Sequence, residues 1–250
     1  MRNALSAAGI RMLRERWTLS PILAFDFDGT LAPIVVEPTA ATMPESTRAL
    51  LYQLAEQHPC IVVSGRARAD VMSRLGDIPV AEVIGNHGSE PWLDTAVLEQ
   101  FVADALPILR EQLSRFRGLE LEDKGVSVSI HYRKVFDRQA VMAASYQLGK
   151  TLGFAHIIPG KLVMNLLPNG ALDKAQGLLR AMSQMQKVSA IFVGDDMTDE
   201  RVFELPEDRN VLGVRVGYRR KSQASLYLPW QRDINALLSL FLRLKSGSPQ

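Results

Sequence analysis

Ile22-Leu23-Ala24-Phe25-Asp26-Phe27-Asp28-Gly29-Thr30 decides the fold, because residues suited to a buried strand run straight into two aspartates and a turn. Charged groups in such a place are costly unless they are paired or bound to a metal. The crevice beyond the carboxyl ends of parallel strands is where open α/β sheets place their ligands. The stretch therefore predicts a strand of a parallel sheet whose C-terminal end carries chemistry. Short apolar runs recur at 60–63, 80–84, 190–193 and 211–216, and each is too short for a helix. Helical patterns separate several of them, as at 46–58, where Leu50, Leu51, Leu54 and Ala55 share a face, and at 67–75. Strands alternating with helices, apolar on both faces, imply a doubly wound, Rossmann-like parallel sheet.

Residues 97–167 read differently. A helix at 97–116 precedes the alternating segment Val126-Ser127-Val128-Ser129-Ile130, a second helix near 139–153, and the run Lys161-Leu162-Val163-Met164-Asn165-Leu166. Alternation predicts a sheet solvated on one face. The expected organisation is an α/β core from 1–96 and 168–250 with a smaller α/β cap inserted at 97–167. The tail 246–250 is expected to be disordered.

With 250 residues, 47% of them hydrophobic, the chain is long enough for one large domain or two small ones. Its net charge of +2 gives no field that would draw nucleic acid or an anionic membrane, so the expected partner is a small molecule. The expected chain is a monomer. One cysteine, Cys60 in an apolar run, cannot build a disulfide framework and suits a reducing cytoplasm. The arginines within 1–19 allow a targeting reading, but no uninterrupted apolar core accompanies them, so a surface helix packed on the core is expected. No apolar run approaches the ~20 residues that span a bilayer.

Asp26 and Asp28 can share one crevice because Phe27 points away between them. A second acidic group, Asp195-Asp196 with Asp199, follows the run at 190–193. Acids gathered in one pocket raise one another's pKa values unless a cation sits among them, and oxygen donors select Mg²⁺ over Zn²⁺. Such a cation keeps positions open for a substrate phosphate, which Ser64 and Lys174 can also bind. Each feature alone has a plainer reading: Asp-x-Asp as a turn, Asp195-Asp196 as a helix cap, Ser64-Gly65 as a βα turn, and Lys174 as a solvated lysine. Their occurrence together after successive strands favours chemistry, with an aspartate attacking phosphorus and a second carboxyl moving the proton.

The set Asp26-Phe27-Asp28-Gly29-Thr30-Leu31, Ser64-Gly65-Arg66, Lys174 and Gly194-Asp195-Asp196-Met197-Thr198-Asp199 resembles the haloacid dehalogenase superfamily of phosphatases. Gly85-Asn86-His87-Gly88, the segment 121–133 and Pro159-Gly160-Lys161 make the chain similar to its trehalose-6-phosphate phosphatase family over about 20–230. The resemblance implies Asp26 as nucleophile and Mg²⁺ ligand, and Asp28 as acid and base whose carbonyl also binds the metal. Asp195 would be the third ligand and Asp199 its support, while Ser64 and Lys174 would hold the phosphoryl group. Arg66, His87, Lys124, His131, Arg133, Lys161 and Asn165 would contact the sugar phosphate. Asn165 stands where this family usually has glutamate, and Ala175 where a glycine commonly follows the lysine. A related phosphatase for another sugar phosphate or a glycosyl-phosphoglycerate, and a regulatory homologue without turnover, stay open. A receiver domain is disfavoured by its short length.

Overall fold

The run Ile22–Phe25 is buried at every position, as a strand in the middle of a parallel sheet must be. The computed structural model describes residues 1–35, 38–160 and 162–244. In chain order the strands are β1 (Arg2–Asn3), β2 (Ile22–Phe25), β3 (Cys60–Val63), β4 (Glu82–Ile84), β5 (Glu120–Asp123), β6 (Val128–His131), β7 (Phe154–Pro159), β8 (Val163–Pro168), β9 (Ala190–Gly194), β10 (Val211–Val216) and β11 (Leu226–Leu228). The helices are α1 (Ala7–Trp17), α2 (Glu45–Gln57), α3 (Arg68–Leu75), α4 (Ala96–Leu113), α5 (Arg138–Thr151), α6 (Lys174–Gln184), α7 (Glu200–Phe203) and α8 (Ile234–Arg243).

Seven strands form one parallel sheet in the order β1-β11-β10-β9-β2-β3-β4. The chain winds from β2 towards β4 on one side and from β9 towards β11 on the other. The switch point lies between β2 and β9, where a crevice opens at the carboxyl ends. One face packs Leu13 and Trp17 of α1, Leu51 and Leu54 of α2, and Leu237 and Phe241 of α8 into a single core. The other face carries Ala175, Leu178 and Met182 of α6 against Ile22, Ala24 and Phe192. Trp17 stacks on Phe241 at 5.4 Å, so the N-terminal helix docks on the core as a surface helix would.

The other four strands form an antiparallel sheet, β5-β6-β8-β7. Its apolar face, with Val128, Ile130, Met164 and Leu166, packs on Val102, Leu106 and Leu109 of α4 and Val141 of α5. The alternation predicted a solvated opposite face, and this is corrected: Ser127, Ser129 and Asn165 are all buried. The polar side of this sheet roofs the crevice of the parallel sheet. The tail 246–250 lies outside the described residues. Among the described residues, no helix is long and apolar enough to cross a membrane.

Candidate active site

Asp26 leaves the end of β2 with its N–H donating to the Val193 carbonyl at 2.8 Å, which ties it to the neighbouring end of β9. The chain then turns through Gly29 at φ 82°. A side chain there would be strained and would displace the Asp195 carboxylate, since a Cβ would lie 2.3 Å from its Oδ2. Gly194 at the end of β9 meets the same limit, with Asp199 Oδ2 2.4 Å from its would-be Cβ. The two glycines let both acidic loops close on one point. Carboxylate oxygens of Asp26, Asp195 and Asp199 lie within 4.8 Å of one another.

Lys174 completes this floor. Its position at the first residue of α6 is fixed by Asp173, whose side chain accepts from the Gln176 N–H in a reciprocal capping box. Buried Lys174 Nζ donates to Asp26 Oδ1 at 2.8 Å and to Asp199 Oδ1 at 2.7 Å. Burial opposes the ammonium, but Asp199 and Asp26 outweigh it and hold its pKa above the usual value. Asp199 Oδ2 accepts the Asp196 N–H at 2.8 Å.

One ammonium does not balance these acids. Burial pushes Asp26 up to about 8, with Lys174 opposing and Asp199 reinforcing the shift. Asp195 is raised well above the usual range by burial and then by Asp26 and Asp199, and Asp196 by burial and Asp199. Asp195 Oδ1 is buried with no hydrogen-bond partner. Convergent oxygen donors, excess negative charge and an orphaned lone pair together fit a hard divalent cation of the Mg²⁺ type.

The Asp28 carboxylate is not part of that convergence. Arg66 grips it as a fork, Nε to Oδ2 at 2.6 Å and Nη2 to Oδ1 at 2.7 Å. Arg66 Nη1 also reaches Asp70 Oδ2 at 2.9 Å, and Asp70 in turn binds Arg74. Ser64 is buried at the end of β3, where its Oγ accepts the Arg66 N–H at 3.1 Å.

These groups open into a cavity of about 260 Å³ whose floor includes Asp26, Asp28, Arg66, His87, Lys174 and Asp195. Lys124, His131, Arg133 and Asn165 line it from the antiparallel sheet. Lys161 lies outside the described residues. Two further acids, Glu120 and Glu122 on β5, were missed by sequence reasoning; their i, i+2 spacing on one strand face was the available signal. Glu122 Oε2 pairs with His131 Nε2 at 2.8 Å and lies 3.7 Å from Lys124 Nζ. Burial pushes Glu122 up, yet His131 and Lys124 together leave it below its usual value. Ser129 Oγ donates to Asn165 Oδ1 at 2.7 Å, which leaves the Asn165 amide hydrogens for other partners.

A parallel sheet with two acidic loops at its switch point, roofed by an inserted antiparallel sheet, defines the fold of the haloacid dehalogenase superfamily of phosphatases. A phosphatase of that superfamily from Bacteroides thetaiotaomicron superimposes with a TM-score of 0.61 at 18% identity, covering 90% of this chain and 96% of the other. Within the superfamily the particular match is to the trehalose-phosphatase family, whose model spans residues 24–233, and the chain belongs to that family. The trehalose-phosphate phosphatase of Mycobacterium tuberculosis is 34% identical over 200 residues, 74% of this chain and 51% of the relative. The chain thus spans about half the length of the curated relatives it matches. The C-terminal domain of the Candida albicans trehalose-6-phosphate phosphatase superimposes with a TM-score of 0.77 at 21% identity, covering 98% and 99% of the two chains.

Proposed function

We propose that this chain is a Mg²⁺-dependent phosphatase that hydrolyses trehalose 6-phosphate to trehalose and phosphate through an aspartyl-phosphate. The observation that carries the reading is the meeting of Asp26, Lys174, Asp195 and Asp199 at the floor of a cavity with a polar roof. An Asp26 carboxylate oxygen attacks phosphorus and the bond to the sugar oxygen breaks. Asp28 gives that oxygen its proton, then takes one from the water that hydrolyses the aspartyl-phosphate. Asp26, the Asp28 carbonyl and Asp195 hold the metal, with Asp199 supporting them. When bound, the ion supplies neutralising charge at the phosphoryl oxygens. Ser64 and Lys174 hold the phosphoryl group, and Lys174 also restrains Asp26.

Arg66 gives Asp28 a resting state. The bidentate guanidinium fork occupies both Asp28 oxygens, so Asp28 reaches the sugar oxygen only once Arg66 shifts its donors to the incoming phosphate. The core comprises 1–96 and 168–250, the cap 97–167, and Lys124, His131, Arg133 and Asn165 read the sugar. Buried Cys60 favours a cytoplasmic setting. The uncharged Asn165 favours a second reading, a phosphatase for another sugar phosphate or a glycosyl-phosphoglycerate. Phosphate release from a panel of such esters, with and without Mg²⁺, separates the two. Turnover that is equal without any divalent cation would refute the metal assignment.

A further inference from the structure

Asp70, in the first turn of α3, is half-buried and commits both carboxylate oxygens to arginines. Oδ2 accepts from Arg66 Nη1 at 2.9 Å and Oδ1 from Arg74 Nε at 2.9 Å. An acid in that turn would complement the helix dipole whichever way it pointed. This one points at the guanidinium that grips Asp28. The grip uses the Nε–Nη2 edge of Arg66, and Nη1 is the opposite corner of the same rigid plane. Asp70 therefore holds Arg66 from behind and leaves the edge on Asp28, which faces the cavity, undisturbed. Two further contacts fix the residue. The Arg66 N–H donates to Ser64 Oγ at 3.1 Å, and the guanidinium carbon lies 5.9 Å from the ring centroid of fully buried Phe27, the residue between Asp26 and Asp28. Asp70 is anchored in turn. Arg74 Nη1 donates to the Ala41 carbonyl at 2.5 Å and the Thr39 carbonyl at 3.4 Å, so one line of contacts runs from the segment 39–41 through Arg74, Asp70 and Arg66 to Asp28. Burial pushes the Asp70 carboxyl up, but Arg74 and Arg66 outweigh it and hold its pKa below the usual value. An arginine side chain is long and flexible, and its contact with a phosphate is strongest when the fork is oriented beforehand.

We propose that Asp70 is a positioning residue, holding Arg66 in place while the guanidinium exchanges Asp28 for the substrate phosphate, so that Arg66 meets the phosphoryl group already aimed. This rests on the cavity taking a phosphate ester. The test compares wild type, Asp70→Ala, Asp70→Asn, Arg66→Ala and the double variant that combines Arg66→Ala with Asp70→Ala. Each is assayed on trehalose 6-phosphate and on p-nitrophenyl phosphate, and titrated calorimetrically with inorganic phosphate in the presence of Mg²⁺. Asp70→Ala is expected to raise KM, and the Kd for phosphate, roughly fivefold, with a smaller fall in kcat. The loss should be alike on the two esters, since both carry the phosphate that Arg66 receives. Where Arg66 is already alanine, removing Asp70 should change nothing further. Asp70→Asn keeps one accepting oxygen, enough for one arginine, and should lie between Asp70→Ala and wild type. Tm should move by no more than about 3 °C, because exposed ion pairs on a helix add little stability. A larger fall in Tm with unchanged kinetics would make Asp70 a support of α3 alone. Additive losses in the double variant, a loss confined to the sugar ester, or an unchanged phosphate Kd in Asp70→Ala each overturn the role. A wild type inactive on every ester sinks the phosphatase reading and this proposal with it, whereas an active wild type with an unimpaired Asp70→Ala sinks the Asp70 role alone.

Discussion

Asp26 carries the site's electrostatic conflict in one side chain. With no cation bound, burial sets its pKa at about 8, far above the value of an unfolded-chain aspartate. A carboxyl whose folded pKa is raised contributes stability that is full below the unfolded pKa and is lost as pH rises through the folded one. Metal-free protein should therefore lose on the order of a few kcal/mol between about pH 4 and pH 8, with Asp195 and Asp196 acting in the same direction. Thermal melts across this range check the sign. The fall should flatten in Asp26→Asn, and Mg²⁺ should recover most Tm at the alkaline end. The same variant should lose at least about a thousandfold in turnover, as the removal of a nucleophile does. A variant that kept near wild-type turnover would show that Asp26 does not attack phosphorus.

At the scale of elements, α6 and the loop after β9 must hold their groups against this repulsion. The Asp173 cap places Lys174 at the first helical position, so Asp173→Ala should cost about 1 kcal/mol in urea denaturation and lower kcat. Behind the acidic loop, buried Arg215 on β10 donates to the Asp195 and Asp196 carbonyls and pairs with Glu200 at 2.7 Å. Glu200 also accepts from Ser222 Oγ at 3.1 Å and the Gln223 N–H at 3.0 Å. Removing one partner of a buried pair leaves the other uncompensated, so Arg215→Met should cost about 3–5 kcal/mol. Adding Glu200→Gln should return part of that. Because the fork grips the carbonyls of the Asp195 loop, Arg215→Met should also weaken Mg²⁺ binding measured by calorimetry. Stability lost with unchanged Mg²⁺ affinity would confine the pair to a structural role.

Across the whole molecule, the sequence revealed most where one physical demand acts alone. A strand buried on both faces requires an unbroken apolar run, so Ile22–Phe25 and Cys60–Val63 have the ends expected of them. Glu120–Asp123 carries three acids and no such run; it is a strand because its backbone pairs with β6 at the edge of the sheet, a contact that local pattern does not encode. The acidic floor was legible because its members follow predicted strands. The Arg66 grip on Asp28 and the Glu122 link to His131 were not, since each joins segments that only the tertiary fold brings together. The burial of Ser129 and Asn165 has the same origin, for two sheets must face each other before the polar side of one becomes a roof. That division sets the last prediction. If the floor performs chemistry and the roof reads the sugar, roof variants should change selectivity and leave generic phosphatase chemistry largely intact. Lys124→Ala and His131→Ala should lower kcat/KM on trehalose 6-phosphate by roughly 10- to 100-fold, while an aryl phosphate loses only about threefold or less. Glu122→Gln should behave alike, because it frees both side chains that Glu122 now orients. Equal losses on the two esters would mean that the roof shapes the floor instead of recognising the sugar.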